Sequence, residues 1–194
     1  MARQHSQTAQ PRSHSPLVVN ITRLGRRPGA MFTLHETVAN PARIGLDMIG
    51  VAAGAPLELD VRVESVSEGV LVTGTMSAPI TGECSRCLTP FEEQIDVNLT
   101  ELFAYSDSLT QATTEEDEVG HVVADTVDLE QPIIDAVGLE LPFSPVCRDD
   151  CPGLCATCGV ALATADPGHH HDEIDPRWAK LTTMLGDSDG VGSE

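Results

Sequence analysis

Residues 57–66 read LELDVRVESV. Apolar side chains fall at Leu57, Leu59, Val61 and Val63, and charged ones at Glu58, Asp60, Arg62 and Glu64. A period of two marks an extended strand, because successive side chains leave opposite faces. One face of this strand meets a core and the other meets water. Ser67-Glu68-Gly69 then turns the chain, and VLVTGTMSAPITGEC (70–84) returns it as a partner strand. After a short cysteine-bearing loop, EEQIDVNLTELFAY (92–105) alternates again, with Ile95, Val97 and Leu99 on one side. Consecutive strands joined by tight turns predict an antiparallel meander, with the first cysteine pair in the turn between its second and third strands.

Upstream, PLVVNITRL (16–24) reads as a first strand and MFTLHETVA (31–39) as another, separated by a Pro28-Gly29 breaker. ARIGLDMIGV (42–51) carries a weak helical stripe or is a connecting segment. Downstream, HVVADTVDLEQPIIDAVGLELPF (121–143) begins as a strand and becomes helical. Asp128 is positioned to N-cap that helix, Leu129, Ile133, Ile134, Val137 and Leu141 share one face, and Pro142 stops it. Residues 176–185, PRWAKLTTML, predict a short terminal helix with Pro176 in its first turn.

The expected class is therefore α+β: an antiparallel meander or partly closed sheet, one or two short helices and a zinc-knuckle C-terminal region. The expected organisation is a basic arm (1–15), a β-rich core (16–145), a Cys/His metal-binding loop (146–175), a helix (176–186) and an acidic tail (187–194).

The 194 residues carry a net charge of -19, unevenly spread. The first 35 residues hold Arg3, Arg12, Arg23, Arg26 and Arg27 and no acid; the remainder is strongly acidic, with a run of four acids at 115–118. Such a body repels phosphate and suits a basic partner, while the arm is the part able to touch RNA. Aromatic residues are 3% of the chain, so branched aliphatics must fill the core. No run approaches the ~20 apolar residues that span a bilayer, and Pro16–Ile21 is too short for a secretory signal. The expected location is the cytoplasm, where structural disulfides are rare.

All six cysteines lie in motifs: Cys84-x2-Cys87, Cys147-x3-Cys151 and Cys155-x2-Cys158. A Cys-x2-Cys turn presents two thiolates to one ion, and a Gly after the second Cys suits a turn that needs positive φ there. Two such turns plus a third pair point to tetrahedral zinc. Six thiols make one and a half four-thiolate sites, and His169 and His171 in ADPGHHHDEIDP (165–176) can complete the second. The preferred partition places one ion on Cys84, Cys87, Cys147 and Cys151 and another on Cys155, Cys158, His169 and His171. The rival pairs the two Cys-x2-Cys turns in a single all-cysteine site. Thiolate-rich sites closed by four protein ligands are structural, so one or two structural zinc ions are expected.

Catalytic signatures are otherwise missing. His35-Glu36 lacks the second His of a zincin motif, and no P-loop, dinucleotide fingerprint or Gly-x-Ser-x-Gly occurs. The expectation is a protein that is not an enzyme. A zinc–thiol redox switch at Cys151, Cys155 and Cys158 is the alternative use of the same thiols.

GECSRCLTPF (82–91), LPFSPVCRDDCPGLCATCG (141–159) and IDPRWAKL (174–181), in this order, resemble the YceD family, the bacterial and plastid large ribosomal RNA subunit accumulation proteins. The resemblance covers roughly residues 16–186. Cys84, Arg86 and Cys87 match its Cys-x-Arg-Cys element. Cys147, Cys151, Cys155, Cys158 and Gly159 match its second cluster, and Asp175, Pro176, Arg177 and Leu181 its Asp-Pro-Arg element. Where many members have a further Cys-x-Cys, this chain has His169-His170-His171. The resemblance implies a non-catalytic ribosome-biogenesis factor supporting accumulation of 23S rRNA. Its implied partner is a large-subunit precursor or a basic ribosomal protein, with any RNA contact indirect and no membrane involved. Arg86 and Arg177 are candidate partner contacts, although Arg86 could equally offset the charge of the zinc–thiolate cluster. A zinc-stabilised adaptor or redox-sensitive regulator without a ribosomal role is the alternative.

Overall fold

The computed structural model describes residues 15–113 and 119–171. Its contacts gather into two compact units, Met1–Asp149 and Asp150–Glu194. The arm up to residue 14, the acidic run at 115–118, and the predicted helix and tail with Asp175, Pro176, Arg177 and Leu181 lie outside the described residues.

The first unit is built on three long strands. β5 (Pro56–Ser65) pairs antiparallel with β6 (Gly69–Glu83), and β6 pairs along its whole length with β7 (Pro90–Ala104). The alternation in 57–66 is what the strand obeys: Leu57, Leu59, Val61 and Val63 are buried, and Val63 and Leu59 stand beside Val72 and Met76 of β6. Each such side chain removed from water stabilises the fold by roughly 1.5–3 kcal/mol. β2 (Met31–Ala39) adds an outer strand against β5.

β6 is longer than β5, and its far end takes a different neighbour, β4 (Ile49–Val51), which itself pairs with β3 (Ile44–Leu46). Pro79 sits where β5 pairing has ended at Ser77 and β4 pairing has not begun at Thr81. Its missing N–H therefore costs no ladder hydrogen bond on that side. The 42–51 segment is thus a small hairpin, not a helix or plain connector. Gly45 and Gly50 lie opposite each other, and a Cβ on Gly45 would come within 2.6 Å of the Gly50 Cα. That close approach, invisible to periodicity, is what the glycines permit. Gly74 plays the same part between β5 and β6, where a Cβ would fall 2.1 Å from the Asp60 carbonyl oxygen.

The sheet is open, not partly closed: β2 and β3 end the path β2-β5-β6-β4-β3, and β7 lies on the other side of β6. The first predicted strand shortens to β1 (Val18–Asn20), which pairs with β9 (Thr126–Asp128) in a separate ribbon. Between β8 (Gly120–His121) and β9 the chain reverses at Ala124-Asp125, both at positive φ. Val123 and Thr126 exchange backbone hydrogen bonds across that turn. The stretch expected to begin as one strand is therefore two short ones.

α1 (Leu109–Thr113) is a single turn, and α2 (Glu130–Glu140) is the main helix. It starts one residue later than Asp128 capping would require. Leu129 holds the N-cap position, and the Asp128 carboxylate instead accepts from the Glu130 N–H at 2.9 Å. Ile133 and Val137 are buried with Leu129 and Leu141 at the helix ends. Leu141 is already extended, as a residue before proline must be. Two arginines of the basic N-terminal segment are engaged by the protein itself. Arg23 lies 3.7 Å over the Phe32 ring, and Arg26 bonds Asp107 at 2.9 Å. No helix among the described residues is long and apolar enough to cross a membrane.

The second unit, where described, is a small hairpin: Leu154 bridges Ala161, and the Leu162 N–H donates to Gly153.

Candidate metal centres

Both Cys-x2-Cys turns adopt one backbone shape. In the first, the Leu88 N–H donates to the Cys84 carbonyl at 2.8 Å and the Cys84 N–H donates to Thr89 at 3.0 Å. In the second, the Gly159 N–H donates to Cys155 at 2.9 Å and the Cys155 N–H donates to Val160 at 2.8 Å. The residue after the second cysteine is left-handed in both: Leu88 at φ 57° and Gly159 at φ 73°. The first turn closes the β6–β7 hairpin directly beyond the Glu83–Pro90 pair. The second closes the short hairpin of residues 154–161.

The six cysteines are thiols in no disulfide. In the first unit Cys87 Sγ lies 3.8 Å from Cys147 Sγ, and Cys84 is 0% exposed. The 145–149 segment is fastened over the turn by the Ser85 N–H donating to Pro145 at 2.8 Å and by the Arg86 guanidinium donating to the Asp149 carbonyl at 3.0 Å. The sulfur atoms of Cys84, Cys87 and Cys147 all lie within 4.8 Å of one another. The N–H of Cys147 above all, and those of Cys87 and Arg86, pull the Cys84 thiol down to about 6 against the opposing effect of burial.

In the second unit the donor atoms of Cys155, Cys158, His169 and His171 all lie within 4.8 Å of one another. Cys158 Sγ is 3.4 Å from His169 Nε2, and His169 Nε2 is 3.1 Å from His171 Nε2. The Asp166–His169 turn, with Gly168 at φ 87°, sets the first imidazole. His170 turns its Nδ1 to the Gly168 carbonyl at 2.7 Å, outside the donor group. The N–H groups of Cys158 and Thr157, followed by the His169 ring, lower the Cys155 thiol to about 6.

These separations fit a tetrahedral ion. Zinc bonds of about 2.3 Å to sulfur and about 2.05 Å to nitrogen imply edges of about 3.8 Å between sulfurs, about 3.6 Å from sulfur to nitrogen and about 3.3 Å between nitrogens. The observed edges of 3.8, 3.4 and 3.1 Å follow the same order and lie close to those values. Peptide N–H groups aimed at the first sulfur of each turn favour the thiolate that a metal requires. Soft sulfur with imidazole is the donor set of zinc. The Cys/His groups at both turns can therefore hold a metal ion.

Arg86 is exposed, and its guanidinium bonds the main chain of the segment it clamps. Sequence reasoning missed three contributors: the Cys147 N–H, the Ser85 N–H and the left-handed Leu88. Only the last had a possible signal, the equivalent position of Gly159 in the other turn.

The family described as large ribosomal RNA subunit accumulation protein YceD matches residues 72–185. The chain belongs to the YceD family. All eight candidate ligands fall inside the matched span, whereas β2 to β5 precede it. An uncharacterized protein of Mycobacterium tuberculosis strain H37Rv is 68% identical over 195 residues, covering 100% of this chain and 94% of the relative. One of Mycobacterium leprae is 60% identical over 185 residues, covering 95% of this chain and 85% of the relative. No solved structure matches the chain. The YceD description ties the family to accumulation of large-subunit ribosomal RNA.

Proposed function

We propose that this YceD-family chain is a cytoplasmic, non-catalytic factor of ribosome biogenesis that supports accumulation of 23S rRNA, and that two structural zinc ions hold its turns in shape. The observation that carries the zinc reading is the gathering of thiol and imidazole ligand atoms within 4.8 Å of one another at both turns. A closed site leaves no position for a reacting water, so the metal serves structure. The ribosomal reading draws its support from the family's name. The charge of -19 supports a basic protein partner over direct engagement of RNA phosphate.

The test is the ratio of 23S to 16S rRNA in a strain deleted for the gene. A selective fall in 23S, restored by the wild-type chain, is expected. An unchanged ratio would remove the ribosomal role and leave a zinc-stabilised adaptor. Incubation of the purified chain with precursor rRNA should give no cleavage products; cleavage abolished by a single carboxylate substitution would overturn the non-catalytic assignment.

A further inference from the structure

β7 is paired with β6 along its full length, but on its other side only Phe103 and Ala104 meet a strand, β8. Among the described residues no strand covers that side of 90–102. The direction of its backbone groups can be read from two contacts. The Ala104 carbonyl accepts from Val122 on the β8 side, while the Tyr105 N–H donates to Glu68 on the β6 side. Backbone groups alternate sides along a strand, so those of Asp96, Asn98, Thr100 and Leu102 point to the open edge. An uncovered edge of this length is a template for one more strand.

The edge also forms one wall of a groove. Two adjoining cavities of about 310 and 430 Å³ run between β7 and α2, sharing Glu101, Pro132 and Asp135. β8 closes one end, and the 89% exposed Leu139 stands at the other. Five carboxylates line it: Asp96, Glu101, Asp128, Asp135 and Glu140; no Lys or Arg does. Asp135 accepts from the Gln131 amide at 2.8 Å and lines the groove beside Glu101. Glu101 is on the inward-facing register of β7, opposite Val72 and between the buried Leu99 and Phe103 on the same face. Burial, and then the Asp135 charge, raise its carboxyl above the usual range. A cation placed between these two carboxylates would relieve both effects.

We propose that this groove is a docking site for an extended Lys/Arg-rich peptide segment of a partner protein, which adds a strand to the open edge of β7 and sets its basic side chains against the carboxylates. Main-chain hydrogen bonds to Asp96, Asn98, Thr100 and Leu102 supply the pairing, and alternate side chains of the peptide read the acidic wall. RNA is excluded by the same charge that attracts the peptide. The groove rests on the proposed function only for the sign of the partner's charge.

The test is fluorescence anisotropy of the full chain, kept with zinc, against a labelled twelve-residue peptide alternating Arg with Val or Thr. Controls are the same peptide N-methylated at alternate residues and one with Glu in place of Arg. The basic peptide should bind and the other two should not. Glu101→Gln combined with Asp135→Asn should weaken binding about tenfold. Asn98→Pro, which removes an edge-facing N–H without touching a β6 hydrogen bond, should abolish it while thermal unfolding stays near wild type; should that variant misfold, the charge variant and the N-methylated peptide still decide. Equal binding of the N-methylated peptide would overturn strand addition in favour of charge adhesion alone. Absence of binding, or tighter binding of an RNA oligomer, would overturn the groove. An unchanged 23S ratio in the deletion strain would remove the ribosomal role and leave the groove standing.

Discussion

The two Cys-x2-Cys turns have the same main-chain hydrogen bonds and the same left-handed residue, yet stand in different surroundings. The turn at Cys84 caps the longest hairpin of the sheet, and its leading sulfur is 0% exposed. The turn at Cys155 closes a hairpin with a single isolated bridge, and Cys158 is exposed. Cys84 receives an N–H from Cys147, sixty-odd residues away in sequence, whereas the N–H groups on Cys155 come from within its own turn. One local motif thus serves two purposes. The first fastens distant parts of the chain onto a packed sheet, and the second organises its own short stretch.

The comparison breaks if both sites weigh equally on the sheet. Cys84→Ser should lose the first ion and destabilise the first unit by on the order of 4 kcal/mol, since loss of a metal at a buried ligand is among the few large single-residue effects. Cys155→Ser should lose the second ion yet shift unfolding of the sheet by no more than about 0.5 kcal/mol. Thermal melts of both variants, followed at a strand signal, separate the cases.

Next in size is a change in the sheet that supports the first turn. Gly74→Val places a side chain 2.1 Å from the Asp60 carbonyl oxygen, so β5 and β6 must part. A loss of about 3 kcal/mol is expected by denaturant unfolding, with both metals still bindable in the folded fraction. An unaffected midpoint would mean that the strands do not approach as described.

The smallest expected effect probes the turn itself. Leu88 pays steric strain at φ 57° that Gly159 avoids. Leu88→Gly should stabilise the first turn by about 1 kcal/mol, and Gly159→Leu should weaken the second by a similar amount, read as zinc retention against a competing chelator. Opposite signs sharpen the equivalence of the turns; equal signs break it.

How much of this was legible in the sequence follows from what each signal depends on. Alternation in 57–66 and 92–105 reports burial of one face, so β5 and β7 could be read directly. The β6–β7 turn followed, and with it the place of Cys84 and Cys87. The hairpin at 44–51 could not be read, because Gly45 and Gly50 carry no side chains to alternate and their role is close main-chain contact. The helix was legible from Ile133 and Val137, but its start was misplaced by one residue, since Asp128 can reach the Glu130 N–H without occupying the N-cap. For the metal groups, spacing alone proposed two partitions; only tertiary structure brings Cys147 to the first turn rather than leaving it apart. The acidic groove was not legible at all, because Glu101 and Asp135 meet through packing of α2 on β7, and no local pattern encodes which edge of a sheet stays open.

The most direct measurement is metal content by native mass spectrometry of the purified full chain and its Cys155→Ser variant. Two zinc ions per wild-type chain and one per variant are predicted. A folded wild-type chain that binds no metal, or a variant that loses both ions together, would contradict two separate structural centres.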